Sequence, residues 1–193
     1  GTVVRRPGVA RVLRAFAEGG RAAVYLGDFG EQLLSAGTGE FTDEDLATPN
    51  ADWVDPLGVR VWGHDVWTVP PNSQGYLSLA AALIVDGLDL PQEDNPLRAH
   101  LMVEAARQAG HDRPAVLHEH ADGEALVHPN RLDPRRGAIH ADRVATLGDA
   151  WHDGDTMYLC AVDGEGMSVS LIQSNANGFG SHVTLPELGI FLH

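Results

Sequence analysis

Asp155-Thr156 is followed at once by Met157-Tyr158-Leu159-Cys160-Ala161-Val162, so a hydroxyl sits where an acidic loop becomes an apolar β-type run. A threonine hydroxyl is a weak nucleophile until a base stands beside it, and an N-terminal threonine carries that base in its own α-amine. The amine has an ordinary pKa of about 7.7–8.0, so part of it can take up a proton near neutral pH. Thr156 is therefore a candidate latent nucleophile that a cut between Asp155 and Thr156 would expose. The bland alternative is a β-branched residue opening a strand, and spacing alone favours that alternative.

Other residue sets carry less. His111, His118, His120 and His128, with Glu119 and Asp122, include donor types that bind metals. The His118-Glu119-His120 spacing puts both rings on one side only of a strand, and the surrounding stretch is irregular, so a scattered surface set is expected and no metal. Pro70 to Gly75 lacks the glycine pattern and basic partner of a phosphate loop. The acidic runs Asp43-Glu44-Asp45 and Glu93-Asp94 read as solvated charge. Cys160, the single cysteine, excludes an internal disulfide and is expected as a small buried apolar residue.

The elements that would position Thr156 follow from periodicity. Pro7 to Gly19 is expected as a helix, with Val9, Val12, Leu13 and Phe16 recurring at helical spacing. Arg21 to Ala36 is expected as a second helix interrupted at Gly27, capped by Gly37. Thr42 is a candidate N-cap for a short helix ending near Ala47. Asp52 to Val69 turns to β character, with a hairpin turn at Gly63-His64. Two prolines make Pro70 to Gly75 a loop, and the apolar helix Tyr76 to Val85 behind it is expected to be buried. An amphipathic helix spans Pro96 to Gln108, Gly110 to Arg136 is irregular, and a last helix covers Ile139 to Leu147. Asp163-Gly164-Glu165-Gly166 is the turn of a hairpin between Met157–Val162 and Met167–Ile172. Helices, a small β unit, more helices and a hairpin point to an α/β (α+β) layered fold.

The chain has 193 residues, 44% of them hydrophobic, enough for one sizeable core. No window reaches 18 consecutive apolar residues, so no membrane-spanning helix is expected. Residues Gly1 to Pro7 lack the apolar core of a signal peptide; the compartment stays open between cytoplasm, periplasm and exterior. A formal charge of −14 argues against nucleic acid and anionic membrane surfaces as partners. All thirteen basic residues are arginine, which reads as genome composition. The apolar run Leu188 to Leu192 stops abruptly at His193, and a truncated chain is expected.

Several segments in order resemble the γ-glutamyltranspeptidase family, which includes related cephalosporin acylases. The matching segments are Asp155-Thr156, Ala161-Val162-Asp163, the turn Gly164 to Gly166, Ser168-Val169-Ser170, and Gly178-Phe179-Gly180-Ser181. Val69-Pro70-Pro71-Asn72-Ser73-Gln74-Gly75 is similar to the family's Pro-Pro-x-Ser-x-Gly segment, Phe41 to Ala47 to its Thr-x-Glu-Asp-Leu segment, and Leu97 to Ala106 to the helix that follows. The resemblance runs over nearly the whole chain.

It implies an N-terminal-nucleophile (Ntn) hydrolase of αββα layering, incomplete in this chain, and a precursor that cuts itself before Thr156. Residues 1–155 would be the later part of the large-subunit region and 156–193 the opening hairpin part of the small-subunit region. Thr156 matches the nucleophile and Ser174 the hydroxyl residue that contacts it, with Gln173 and Asn175 near the substrate. The implied reaction is cleavage of a γ-glutamyl amide such as glutathione through an acyl-enzyme passed to water or an acceptor amine, with no cofactor. The implied protein partners are the remainder of the two subunits. Three departures stand out. Tyr158 replaces the usual histidine two positions after the nucleophile. His182 stands where glycine is common, which suggests a different acyl group. The arginine that holds the substrate carboxylate, and the later Ser-Ser and Gly-Gly residues, fall outside the chain. A non-catalytic homologue or scaffold half, and an acylase for a cephalosporin-like or other secondary metabolite, remain as alternatives.

Overall fold

A computed structural model describes residues 1–37, 39–148, 156–176 and 178–193. In chain order it contains helices α1 (Pro7–Tyr25), α2 (Asp28–Ala36) and α3 (Asp43–Ala47), then strands β1 (Leu57–Val61) and β2 (His64–Thr68). Helices α4 (Tyr76–Asp86), α5 (Pro96–Gly110), α6 (Arg113–Val116), α7 (Gly123–Val127) and α8 (Pro129–Gly137) follow. Strands β3 (Met157–Val162), β4 (Ser168–Gln173), β5 (Thr184–Leu185) and β6 (Ile190–Phe191) close the chain. Two compact units result. One comprises Gly1–Ala51 and His152–His193, the other Asp52–Trp151.

The first unit joins the chain's two ends. Pro7 starts α1 at the position where proline's missing N–H costs nothing. Gly20, at φ 63, kinks the helix, so the apolar pattern runs on to Tyr25 without a break in the element. Thr42 caps α3 as its sequence suggests. Its hydroxyl accepts from the Asp45 N–H while the Asp45 carboxylate accepts from the Thr42 N–H, a reciprocal capping box. At the N-terminus of α1, Gly8 lies against the backbone of Leu188, where a Cβ would stand 2.4 Å from the Leu188 Cα. Arg6 and Arg11 donate to the carbonyls of Gly189 and Glu187, and Leu185 and Leu188 are buried beneath. Residues more than 170 apart in sequence are thus locked together at the β5–β6 turn.

The second unit is organised around α4. Its residues Tyr76, Leu79, Ala80 and Ile84 are essentially without solvent contact, as their near-continuous apolar run leads one to expect. One side packs on α5 and α8 through Ala105, Ala109 and Leu132; the other meets β1 and α7 through Leu57, Leu126 and Val127. The β1–β2 hairpin turns at Trp62-Gly63, both at positive φ (52 and 80), the backbone that two-residue hairpins favour.

Two expectations need correction here. Gly110 to Arg136 is not irregular: α6, α7 and α8 occupy most of it, each short enough to escape a periodicity test. The stretch Ile139 to Leu147 is not a helix. Polar groups of α5 hold its backbone in an irregular path instead: His100 Nε2 bonds the His140 carbonyl at 2.8 Å, Glu104 accepts from the Ala145 N–H at 2.8 Å, and Arg107 donates to the Ala145 carbonyl at 3.0 Å. A segment whose backbone groups are satisfied from a neighbour has no need of internal helical bonds.

Candidate active site

Thr156 lies one residue before β3, and the strand is laid down by β-branched and apolar residues up to the turn at Asp163. There the Asp163 carboxylate accepts from the N–H groups of Glu165 and Met167, both at 2.9 Å, and Gly166 takes φ 89. This closed turn fixes the register, with Met157 opposite Gln173 and Val162 opposite Ser168. Register then decides which hydroxyls meet. Continuing it by one step sets Thr156 beside Ser174, and the Thr156 hydroxyl donates to Ser174 Oγ at 3.2 Å. Ser174 Oγ also accepts from the Ala176 N–H at 3.0 Å, in a tight turn where Ala176 adopts φ 69. The serine is therefore held from its own loop while it orients the threonine.

Alternation divides the hairpin into two unlike faces. Thr156, Tyr158, Cys160 and Val162 share a side with Ser168, Ser170, Ile172 and Ser174. The opposite side carries Met157, Leu159, Ala161, Val169 and Leu171, with Gln173 at its end. Gln173 thus belongs to the face away from Thr156, while Asn175 follows Ser174 into the loop, exposed. Asp155 lies outside the described residues. Ser170 Oγ donates to the Tyr158 hydroxyl at 3.3 Å, a pairing that the sequence reading did not single out. Its signal was the alternation Ser168-x-Ser170-x-Ile172-x-Ser174 in phase with Thr156-x-Tyr158. Cys160 is exposed and not buried as expected, because β3 and β4 form a two-stranded sheet uncovered on both sides.

The histidines have other work. His118 Nδ1 accepts from the His120 N–H, and His128 Nδ1 accepts from the Asn130 N–H at the start of α8, so two of the four act as backbone caps. Among the described residues no group of three or more histidine, cysteine, aspartate or glutamate side chains is arranged to hold a metal ion. The second unit holds a partly buried charged cluster at Asp112. Asp112 bonds Arg131 at 2.9 Å and Arg135 at 2.5 Å. Burial alone would raise the Asp112 carboxyl, but the Arg135 hydrogen bond and the Arg131 charge together hold it below its ordinary value. His111 beside them is pushed down by burial and by Arg135. These groups lie 19 and 23 residues apart in sequence, a distance no local pattern covers. A cleft of about 330 Å³ in the first unit is lined by α1 and α2, among them Arg11, Val24 and Phe29; it contains neither Thr156 nor Ser174.

Residues 1–193 match the family described as Gamma-glutamyltranspeptidase. The chain belongs to the γ-glutamyltranspeptidase family. An oxamate amidohydrolase proenzyme of Klebsiella pneumoniae is 32% identical over 197 residues, covering 98% of this chain and 37% of its own length. The glutathione hydrolase-like YwrD proenzyme of Bacillus subtilis is 32% identical over 193 residues, covering 95% and 37%. The chain thus spans rather more than a third of these relatives. The crystal structure of Helicobacter pylori γ-glutamyltranspeptidase superposes with a TM-score of 0.66 over 75% of this chain and 44% of that one, at 22% identity. The enzyme from Pseudomonas nitroreducens gives 0.61 over 76% and 47%, also at 22%. The mixed helix-and-sheet architecture is accordingly that of a γ-glutamyltranspeptidase, an Ntn-hydrolase fold, in part.

Proposed function

We propose that the protein containing this chain cleaves γ-glutamyl-type amides with Thr156 as an N-terminal nucleophile. The observation that carries this reading is the Thr156–Ser174 hydroxyl pair at 3.2 Å at the mouth of the hairpin, in a chain whose family relatives are called proenzymes and glutathione hydrolases. In maturation, Thr156 Oγ attacks the Asp155 carbonyl carbon, the Asp155–Thr156 C–N bond breaks, and the nitrogen gains the hydroxyl proton. Water then hydrolyses the ester, leaving the Asp155 carboxylate and a free Thr156 amine. Residues 1–155 and 156–193 become separate pieces.

In turnover the amine takes the Thr156 hydroxyl proton as Oγ attacks the substrate amide carbon. Ser174, pinned by the Ala176 N–H, holds the hydroxyl in line. The leaving amine departs with that proton, and water or an acceptor amine releases the acyl group. Donors to the developing oxyanion would matter most to rate; losing one such donor typically costs about 2.7–4 kcal/mol. Asn175, one residue beyond Ser174 and exposed to solvent, is a candidate substrate contact; Gln173 is a weaker one, since it lies on the other face.

The test uses the full-length protein. Incubation followed by N-terminal sequencing should find a new terminus at Thr156, and Thr156→Ala should abolish both the cut and the hydrolysis of γ-glutamyl-p-nitroanilide. An uncut protein whose activity survives Thr156→Ala would sink the proposal. A second reading, hydrolysis of a smaller amide, is favoured by the name of the Klebsiella relative, an oxamate amidohydrolase; oxamate in the same assay separates the two.

A further inference from the structure

Tyr158 is the first residue of β3 on the Thr156 face of the hairpin. It follows Thr156 by two residues on the same face, so their Cα atoms are about 6.6 Å apart along the strand. Its ring is bonded at its far end to the partner strand. Ser170 Oγ donates to the phenol oxygen at 3.3 Å, and Ser170 pairs with Cys160, one step further from Thr156 than Ile172, the residue opposite Tyr158. The ring therefore leans away from Thr156, its far end tethered and more than half of its surface open at 57% exposure. No charged side chain alternates onto this face of either strand, so a group lying along it meets only hydroxyls, a thiol and apolar surface.

We infer that Tyr158 is a specificity-determining residue, its tethered ring forming the wall that limits how long an acyl group can lie along the hairpin from Thr156. This rests on Thr156 being the nucleophile. Short acyl groups fit in front of the wall, whereas longer ones must lift off the strand or displace the ring from Ser170. Leaving groups lie on the other side of the scissile bond and do not feel it.

The experiment is a kinetic panel on the full-length protein, wild type against Tyr158→Ala and Tyr158→Phe, with acetyl, succinyl, glutaryl, γ-glutamyl and adipyl p-nitroanilides. N-terminal sequencing of every preparation runs alongside. Tyr158→Ala should raise the ratio of kcat/KM for the longest acyl group over the shortest by at least tenfold, chiefly through KM. Tyr158→Phe, which keeps the ring, should hold that ratio within about threefold of wild type. Should wild type and Tyr158→Ala both be cut before Thr156 while their acyl-length profiles coincide, the wall is refuted and the nucleophile stands. Should the wild type itself remain uncut and inactive on the whole panel, the nucleophile falls and the wall with it. Tyr158→Leu and Tyr158→Val replace the alanine variant if it does not mature. If only the phenylalanine variant matures, the ring serves folding and the specificity role is overturned.

Discussion

At the scale of single residues, the polar groups of this protein differ in how their needs are met, and substitutions should expose the difference. Asp112 accepts from two arginines while only a quarter exposed. Removing it leaves two cations crowded without a counter-charge, and breaking a buried pair from one side costs about 3–5 kcal/mol; Asp112→Ala should fall near the lower end. The Tyr76 hydroxyl is the opposite case. It is fully buried and has no hydrogen-bond partner among the described residues, and burial raises its pKa. An unsatisfied buried hydroxyl costs about 1–3 kcal/mol, so Tyr76→Phe should leave stability unchanged or improve it. Urea denaturation of both variants checks the contrast; a Tyr76→Phe protein as damaged as Asp112→Ala would show that the phenol is bonded after all. Thr156 and Ser174 belong to a third class, exposed or half-exposed hydroxyls whose pairing adds little stability.

At the scale of elements, close approach matters more than propensity. Gly8 begins α1 where the β5–β6 turn presses on it, and a side chain there would overlap the Leu188 backbone, which cannot rotate aside as a flexible side chain could. Gly8→Val should therefore push α1 off Leu188 and Leu185. Overpacking of this kind typically costs about 1–3 kcal/mol. The contact joins segments on either side of Thr156, so, if the proposed cut before Thr156 occurs, the same variant should loosen the association of the two pieces. Size-exclusion chromatography in mild urea would show it. Release of the pieces at the same urea concentration as wild type would count against that role. α3 offers a gentler case: Thr42→Ala removes the hydroxyl half of a capping box and should cost about 1 kcal/mol.

For the whole molecule, the directions of three pKa shifts combine into one acid dependence. Glu104 is buried; burial works to raise its carboxyl, but the Ala145 N–H and Arg107 outweigh it, so it lies below its ordinary value, as does Asp112. A depressed carboxylate contributes stability above its unfolded pKa, and that contribution is lost as pH falls through the folded value. His111 is likewise lowered, so the unfolded state binds its proton first, and stability falls once pH drops below the unfolded value of 6.5. All three slopes have the same sign. Tm should decline in two stages on acidification, beginning near pH 6.5 and steepening below about pH 4. His111→Gln should flatten the first stage and leave the second; an unaltered upper stage would remove His111 as its cause.

The sequence by itself determined what short-range chemistry controls. The capping box at Thr42 and Asp45, the buried run of α4, the hairpin turn at Asp163 to Gly166 and the family's ordered segments were all legible, since each depends on neighbours within a few residues. The register of that hairpin, and with it the pairing of Thr156 with Ser174, follows from the turn. Tertiary structure decided the rest. Ile139 to Leu147 looks helical in isolation but stays irregular where His100, Glu104 and Arg107 bond its backbone. Cys160 reads as buried in an apolar run, yet among the described residues no second layer covers β3 and β4. The meetings of Gly8 with Leu188 and of Asp112 with Arg131 and Arg135 depend on separations that no local pattern measures. They arise only when the chain has closed on itself, because packing and charge act through space and not along the sequence.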